Sequence, residues 1–182
     1  MSWMDEDAGG YQLKITLKDS KPKVWRRFVV PADIPLDQLH IVIQIVMGWE
    51  NMHLHRFVID RQPYYEQPDD LFIEGKEERG VPLRDALNGG VEPFVYDYDF
   101  GDDWKHIIQI EKQLELSSKD RPMLLCIAGA NACPLEDSGG VYGCTEQELK
   151  NPDEYEGEEF DLRRINRDLQ EYLQWNREQS QV

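Results

Sequence analysis

The chain has 182 residues, 40% of them hydrophobic, which is enough for one domain with a real core and argues against a disordered polypeptide. Twenty basic against 36 acidic residues give a net charge of −16, a field that repels phosphate backbones and disfavours non-specific nucleic-acid binding. No apolar run is long enough to span a membrane, and the start MSWMDEDAGG lacks the features of a secretory signal, so the expectation is a cytoplasmic protein with no membrane association.

The first ten residues read as a flexible N-terminus. YQLKITLK (11–18) then alternates strictly, with Tyr11, Leu13, Ile15 and Leu17 on one side, as in a half-buried strand. The turn residues DSKP precede VWRRFVV, a β-rich partner, so a hairpin is expected. Lys18, Lys21, Lys23, Arg26 and Arg27 put five positive charges on this hairpin, either a local exception that could meet a nucleic acid or, the favoured reading, a solvated edge protected by lysines. From 35 to 47, Leu36, Leu39, Ile43 and Val46 fall at helical spacing between Pro35 and Gly48, against the β-branched content of the segment.

HLHRFVID predicts a strand carrying His53, His55, Phe57 and Ile59 on one face. RQPYYEQPDDLFIEGKEERG reads as a long surface excursion, and VPLRDALNGG as a short helix closed by glycine. PMLLCIA is a short buried strand, GANACPLEDSGGVYG a loop of small residues, and NPDEYEGEEF an acidic linker. DLRRINRDLQEYLQW is an amphipathic helix with Leu162, Ile165, Leu169 and Tyr172 on one face and Asp161 as N-cap. Arg164/Asp168 and Arg167/Glu171 are spaced to pair along its exterior. The element order predicts an α+β fold of two layers, a mainly antiparallel sheet covered by helices on one face, over residues 11–177 with a short flexible tail at 178–182.

The chemistry concentrates in VYDYDFGDDWKHIIQI (95–110), where two hairpin registers compete. A two-residue Gly101-Asp102 loop places Asp97 opposite His106, a carboxylate–imidazole pair. A three-residue loop, Gly101 to Asp103, pairs Phe100 with Trp104 and Tyr98 with His106, and puts Asp99 opposite Lys105. It sorts apolar from acidic side chains onto opposite faces, and burial favours it. Asp97, Asp99, Asp102, Trp104, His106, Cys133, Glu136 and Asp137 form the candidate pocket.

His53-x-His55 is a spacing that can hold a divalent metal such as zinc if His106 or Asp97 completes the set. Absent that metal, no cofactor is indicated. Cys126, Cys133 and Cys144 lack zinc-site spacing and are expected to be reduced thiols. Cys133 has no base nearby in sequence, so CPLEDSGG reads as a structural loop packed on the hairpin.

Together HLHRFVI, YDYDFGDDWKHIIQIE, CIAGANACPLEDSGGVYG and the opening YQLKITLKDSKPKVWRRFVVP resemble the plasmid pRiA4b ORF-3-like family, over about Tyr11 to Tyr172. His53, His55, Asp97, Asp99, Gly101, Asp102, Trp104, His106, Cys133, Pro134, Glu136, Asp137, Gly139 and Gly140 match its motif positions. Cys144 stands where the family tends to have an aromatic residue. The resemblance implies a protein associated with plasmids and insertion elements. It brings no catalytic mechanism, and the recombinase label some members carry finds no serine- or tyrosine-recombinase constellation here. The expectation is an acidic binding or accessory module whose surface either contacts a basic protein partner or simply maintains solubility. The alternative is a metal-dependent hydrolase or nucleic-acid-processing enzyme using the histidines and the hairpin aspartates.

Overall fold

The computed structural model describes residues 9–67, 74–115, 124–143 and 159–179; the N-terminal eight residues, Cys144 and most of the acidic linker lie outside them. Strands β1 (Gly10–Leu17) and β2 (Trp25–Pro31) form the expected hairpin, with Leu13 facing Phe28 and Ile15 facing Arg26. The remaining strands are β3 (His55–Ile59), β4 (Gln62–Tyr65), β5 (Lys76–Glu77), β6 (Phe94–Tyr98), β7 (Trp104–Leu114) and β8 (Leu125–Ala130). They form one sheet in the order β5-β4-β3-β6-β7-β1-β2-β8. Every ladder is antiparallel except β4–β5, so the sheet is mixed and the fold is α+β. Strands β4 and β5 occupy part of the segment expected to be an irregular excursion. Tyr64 and Tyr65 are buried there, so tertiary packing outweighs the weak local pattern.

Alternation along the strands decides the layers. Leu13, Ile15 and Leu17 of β1, Phe94, Tyr96 and Tyr98 of β6, and Trp104, His106 and Ile108 of β7 are buried together. On the other side Gln12 and Arg27 both bond Glu111, and Lys14 lies 5.1 Å from the Trp25 ring. Helix α1 (Leu36–Met47) rests on the apolar face, its Gln44 donating to the Tyr96 hydroxyl at 2.8 Å. Gly48 ends α1 in the left-handed conformation with φ 90°, the C′ role its sequence position implies. Its β-branched run is no obstacle, because Val42, Ile43 and Val46 are fully buried in the core.

Arg26 is 2% exposed: its Nε donates to the carbonyl of Val46 near the end of α1, and its Nη atoms donate to the carbonyls of Trp25, Ala130 and Asn131. One of the five hairpin cations is therefore an internal clamp between β2, α1 and the end of β8. The short helix α2 (Leu83–Leu87) ends on left-handed Asn88 rather than on a glycine. Helix α3 (Leu162–Gln179) starts where Asp161 Oδ1 accepts the amides of Arg163 and Arg164 at 2.9 and 3.0 Å. It buries Ile165, Leu169 and Leu173, and it extends two residues beyond the expected domain end. Arg167 contacts its neighbour Asp168 at 3.4 Å. None of the described helices is long and apolar enough to cross a membrane.

Candidate cation site at the hairpin tip

The β6–β7 register differs from both expected schemes. Tyr98 faces Trp104, Asp97 faces Lys105 and Tyr96 faces His106, leaving a five-residue loop from Asp99 to Asp103. The sorting of faces is that of the three-residue scheme, but the loop is two residues longer, and Phe100 is exposed rather than opposite Trp104. Asp99 is the cause. It adopts φ 55°, its Oδ1 accepts the amide of Gly101 at 2.9 Å, and its carbonyl accepts the amide of Asp103 at 2.7 Å. An aspartate that closes a turn with its own side chain tolerates the left-handed region well.

With Oδ1 committed to the turn, Asp99 Oδ2 points at His53, 3.7 Å from Nε2. His53 precedes β3 and is held by the segment before it: the amide of Met52 donates to the Tyr98 hydroxyl at 2.9 Å, and the imidazole meets the Tyr98 ring edge-on at 5.8 Å. Two more donors arrive from the loop after β8. Glu136 Oε1 accepts the Tyr98 hydroxyl at 2.9 Å and the amide of Glu50, which fixes the carboxylate and leaves Oε2 3.5 Å from His53 Nε2. Asp137 Oδ1 lies 3.2 Å from the same nitrogen. The loop docks on the tip through Gly139, whose amide donates to Asp102 Oδ2 at 2.9 Å. At Gly140, φ 74°, an added Cβ would stand 2.4 Å from the Asp102 carbonyl oxygen.

Three features make this more than an ion pair. His53 Nε2 and Glu136 Oε2 are both shielded from solvent and meet other groups only through ion-pair contacts, 3.5 Å from each other and 3.2 Å from Nε2 to Asp137 Oδ1, with no directed hydrogen bond. Buried polar atoms without partners are uncommon and costly. The ligand atoms of His53, Asp99 and Asp137 lie within 4.8 Å of one another. The spacings from Nε2 to Asp137 and Glu136, 3.2 and 3.5 Å, also suit a common centre, since donors about 2.0–2.2 Å from a divalent ion stand roughly 3.0–3.5 Å apart in octahedral or tetrahedral geometry, and Asp99 at 3.7 Å lies just outside that range. Burial, then the bond to Glu136, pushes the Tyr98 phenol upward, so it remains a neutral donor to that carboxylate.

The other expected site residues lie elsewhere. Asp97 is on the opposite side of β6, bonded to Arg56 Nε at 2.8 Å and 3.9 Å from Lys105 Nζ. Trp104 is fully buried against Trp49, with ring centroids 5.1 Å apart, and Cys133 is buried in the core. His106 is fully buried, its Nδ1 3.2 Å from the Tyr96 carbonyl, and burial pushes it down to about 4. His55 stacks face to face on His40 at 3.5 Å and bonds the Glu78 carboxyl, so the rings of His53 and His55 serve different neighbourhoods. His40 and Glu78 escape the sequence reading, Glu78 because it sits in the charged run KEERG. A polar His40 and Gln44, four residues apart on an apolar helix, were the available signal.

The pattern of the plasmid pRiA4b ORF-3-like protein family matches residues 9–179. The chain belongs to this family. An uncharacterised protein, y4hQ of Sinorhizobium fredii (strain NBRC 101917 / NGR234), is 42% identical over 141 residues, covering 76% of this chain and 71% of the relative. The crystal structure of MM3350 from Methanosarcina mazei Go1, a protein of unknown function, superposes with a TM-score of 0.78 at 30% identity, covering 88% of this chain and 98% of that one. These two proteins share the fold, and their names state no activity.

Proposed function

We propose that this ORF-3-like protein is a divalent-cation-dependent binding module, its ion held by His53, Asp99, Glu136 and Asp137. The observation that carries the reading is the facing pair of shielded atoms without a directed hydrogen bond, His53 Nε2 and Glu136 Oε2, with two further carboxylate oxygens around the same nitrogen. One imidazole with carboxylates suits Zn²⁺ or Mn²⁺ better than an all-oxygen Ca²⁺ cage. The Asp137 side chain is 78% exposed, so the solvent side of the ion stays open for an oxygen ligand from a partner. The acidic surface fits a partner of basic character.

A water at the open position would instead be the nucleophile of a metal-dependent hydrolase, and the exposure of Asp137 favours access to it. The test is metal content and calorimetric titration of purified, chelator-treated protein with Zn²⁺ and Mn²⁺. The expected result is one saturable ion per chain, with affinity at least about tenfold lower in His53→Gln and Asp99→Asn. Tight binding unchanged in both variants, or none in the native chain, sinks the proposal. Turnover of model phosphate or carboxylic esters by the loaded native protein, absent in His53→Gln, would select the hydrolytic form.

A further inference from the structure

A second cleft lies along α1, away from the hairpin tip, with a volume of about 430 Å³, in the range of small-ligand sites. Its floor is an unusual assembly of buried polar groups. Glu78 is 1% exposed and its two oxygens lie 2.9 and 3.0 Å from His55 Nε2. The His55 ring is stacked on that of His40. His40 Nε2 lies 2.7 Å from Asn51 Oδ1 and Nδ1 lies 2.8 Å from the Tyr96 hydroxyl. An amide oxygen only accepts, so Nε2 carries the His40 proton and Nδ1 accepts from Tyr96, which in turn accepts from Gln44. Every donor has an acceptor, and the imidazole is fixed neutral.

The walls have a definite chemistry. Asp37 and Glu66 bring two carboxylates above the buried Glu78 carboxyl, against the single guanidinium of Arg79. Trp175 lines the mouth, 55% exposed, with its ring stacked on Tyr172 at 6.4 Å. Exposed indole faces and an excess of carboxylates are the two features that recognise organic cations.

We propose that this cleft binds a small organic cation, a primary ammonium or a guanidinium, between Trp175 and the carboxylates of Asp37 and Glu66, above the buried carboxyl of Glu78. Burial, with Asp37 and Glu66 nearby, pushes the Glu78 carboxyl up to about 8. A cation in the cleft offsets that unfavourable charging, whereas an anion adds to it. The site is independent of the ion at His53 and survives its failure.

The test is a titration followed by tryptophan fluorescence and calorimetry, with 1,4-diaminobutane and agmatine as probes and butyrate and Mg²⁺ as controls. The expected result is saturable binding of the amine or the guanidine, with affinity at least tenfold lower in Glu66→Gln, an exposed position, and in Glu78→Gln. The fluorescence response should vanish in Trp175→Phe, and His53→Gln should leave binding unchanged. Absence of saturable binding overturns the proposal. So does an equal response to butyrate or to Mg²⁺, the latter making the cleft an inorganic cation site, and so does affinity unchanged in Glu66→Gln.

Discussion

Glu78 shows what a single buried carboxyl does to the whole chain. Raised from 4.5 to about 8, it keeps its proton in the folded state over a range where the unfolded chain releases it. Stability is therefore lost as pH rises from about 4.5 to about 8. Glu78→Gln, which still offers an amide to His55, should be more stable than the native chain by an amount that grows across that window and then levels off. Denaturant titrations at pH 5 and pH 9 read this directly, and a difference independent of pH would refute it. The imidazoles act at the other end. Burial pushes His40 down to about 3 and His106 to about 4, so both stay neutral when folded while the unfolded chain takes up protons below about 6.5. Their contribution is lost as pH falls from about 6.5 towards 4, and the thermal midpoint should decline over that interval. Tyr96→Phe removes the hydroxyl shared by His40 and Gln44 and should cost about 1–3 kcal/mol, measured by chemical denaturation, since both partners are buried.

The hairpin and the loop after β8 become one element through a few contacts around Asp102. Gly140 has to be glycine there, both for its φ of 74° and for the approach of the Asp102 carbonyl. Gly140→Ala should lower stability by about 1–3 kcal/mol and weaken cation binding as well, because the loop it displaces carries Glu136 and Asp137. Gly139→Ala meets nothing closer than 3.5 Å and bears backbone strain alone, so its cation affinity should stay nearer the native value. Calorimetric titration of the two variants separates clash from strain. How far the sequence discloses this region follows from the range of each interaction. The alternation of Tyr96, Tyr98, Trp104 and His106 is local, and it places those side chains on the correct face. Loop length is decided by the side chain of Asp99 closing its own turn, which rules built on the position of Gly101 do not capture. The grouping of His53 with Glu136 and Asp137 depends on Gly139 reaching Asp102 across 37 residues, and no periodicity reports such a contact. His40 and Glu78 meet through His55 for the same reason: α1, β3 and the turn after β5 converge only once the sheet exists.

A chain with 36 acidic and 20 basic residues repels itself at neutral pH, and the repulsion converges at the hairpin tip, where three carboxylates surround one imidazole. Two kinds of cation relieve it with different signatures. Monovalent salt screens the whole surface, with a Debye length of about 10 Å at 0.1 M and about 3 Å at 1 M, so it should raise the thermal midpoint gradually and without saturation. A divalent ion bound at the tip of the folded chain alone would stabilise it by RT ln(1 + [L]/Kd), about 2.7 kcal/mol at a hundredfold excess over Kd. Micromolar Zn²⁺ or Mn²⁺ should therefore raise the midpoint of the native chain along a saturating curve, at a concentration where KCl has no effect. Asp137→Asn should blunt that curve while leaving the KCl response nearly intact, because removing one exposed charge in 56 hardly alters the general field. If the divalent ions and KCl instead trace one curve when plotted against ionic strength, the carboxylates at the tip act only as part of the surface charge. The proposed ion site would then be refuted, and the −16 net charge would act as a diffuse field alone.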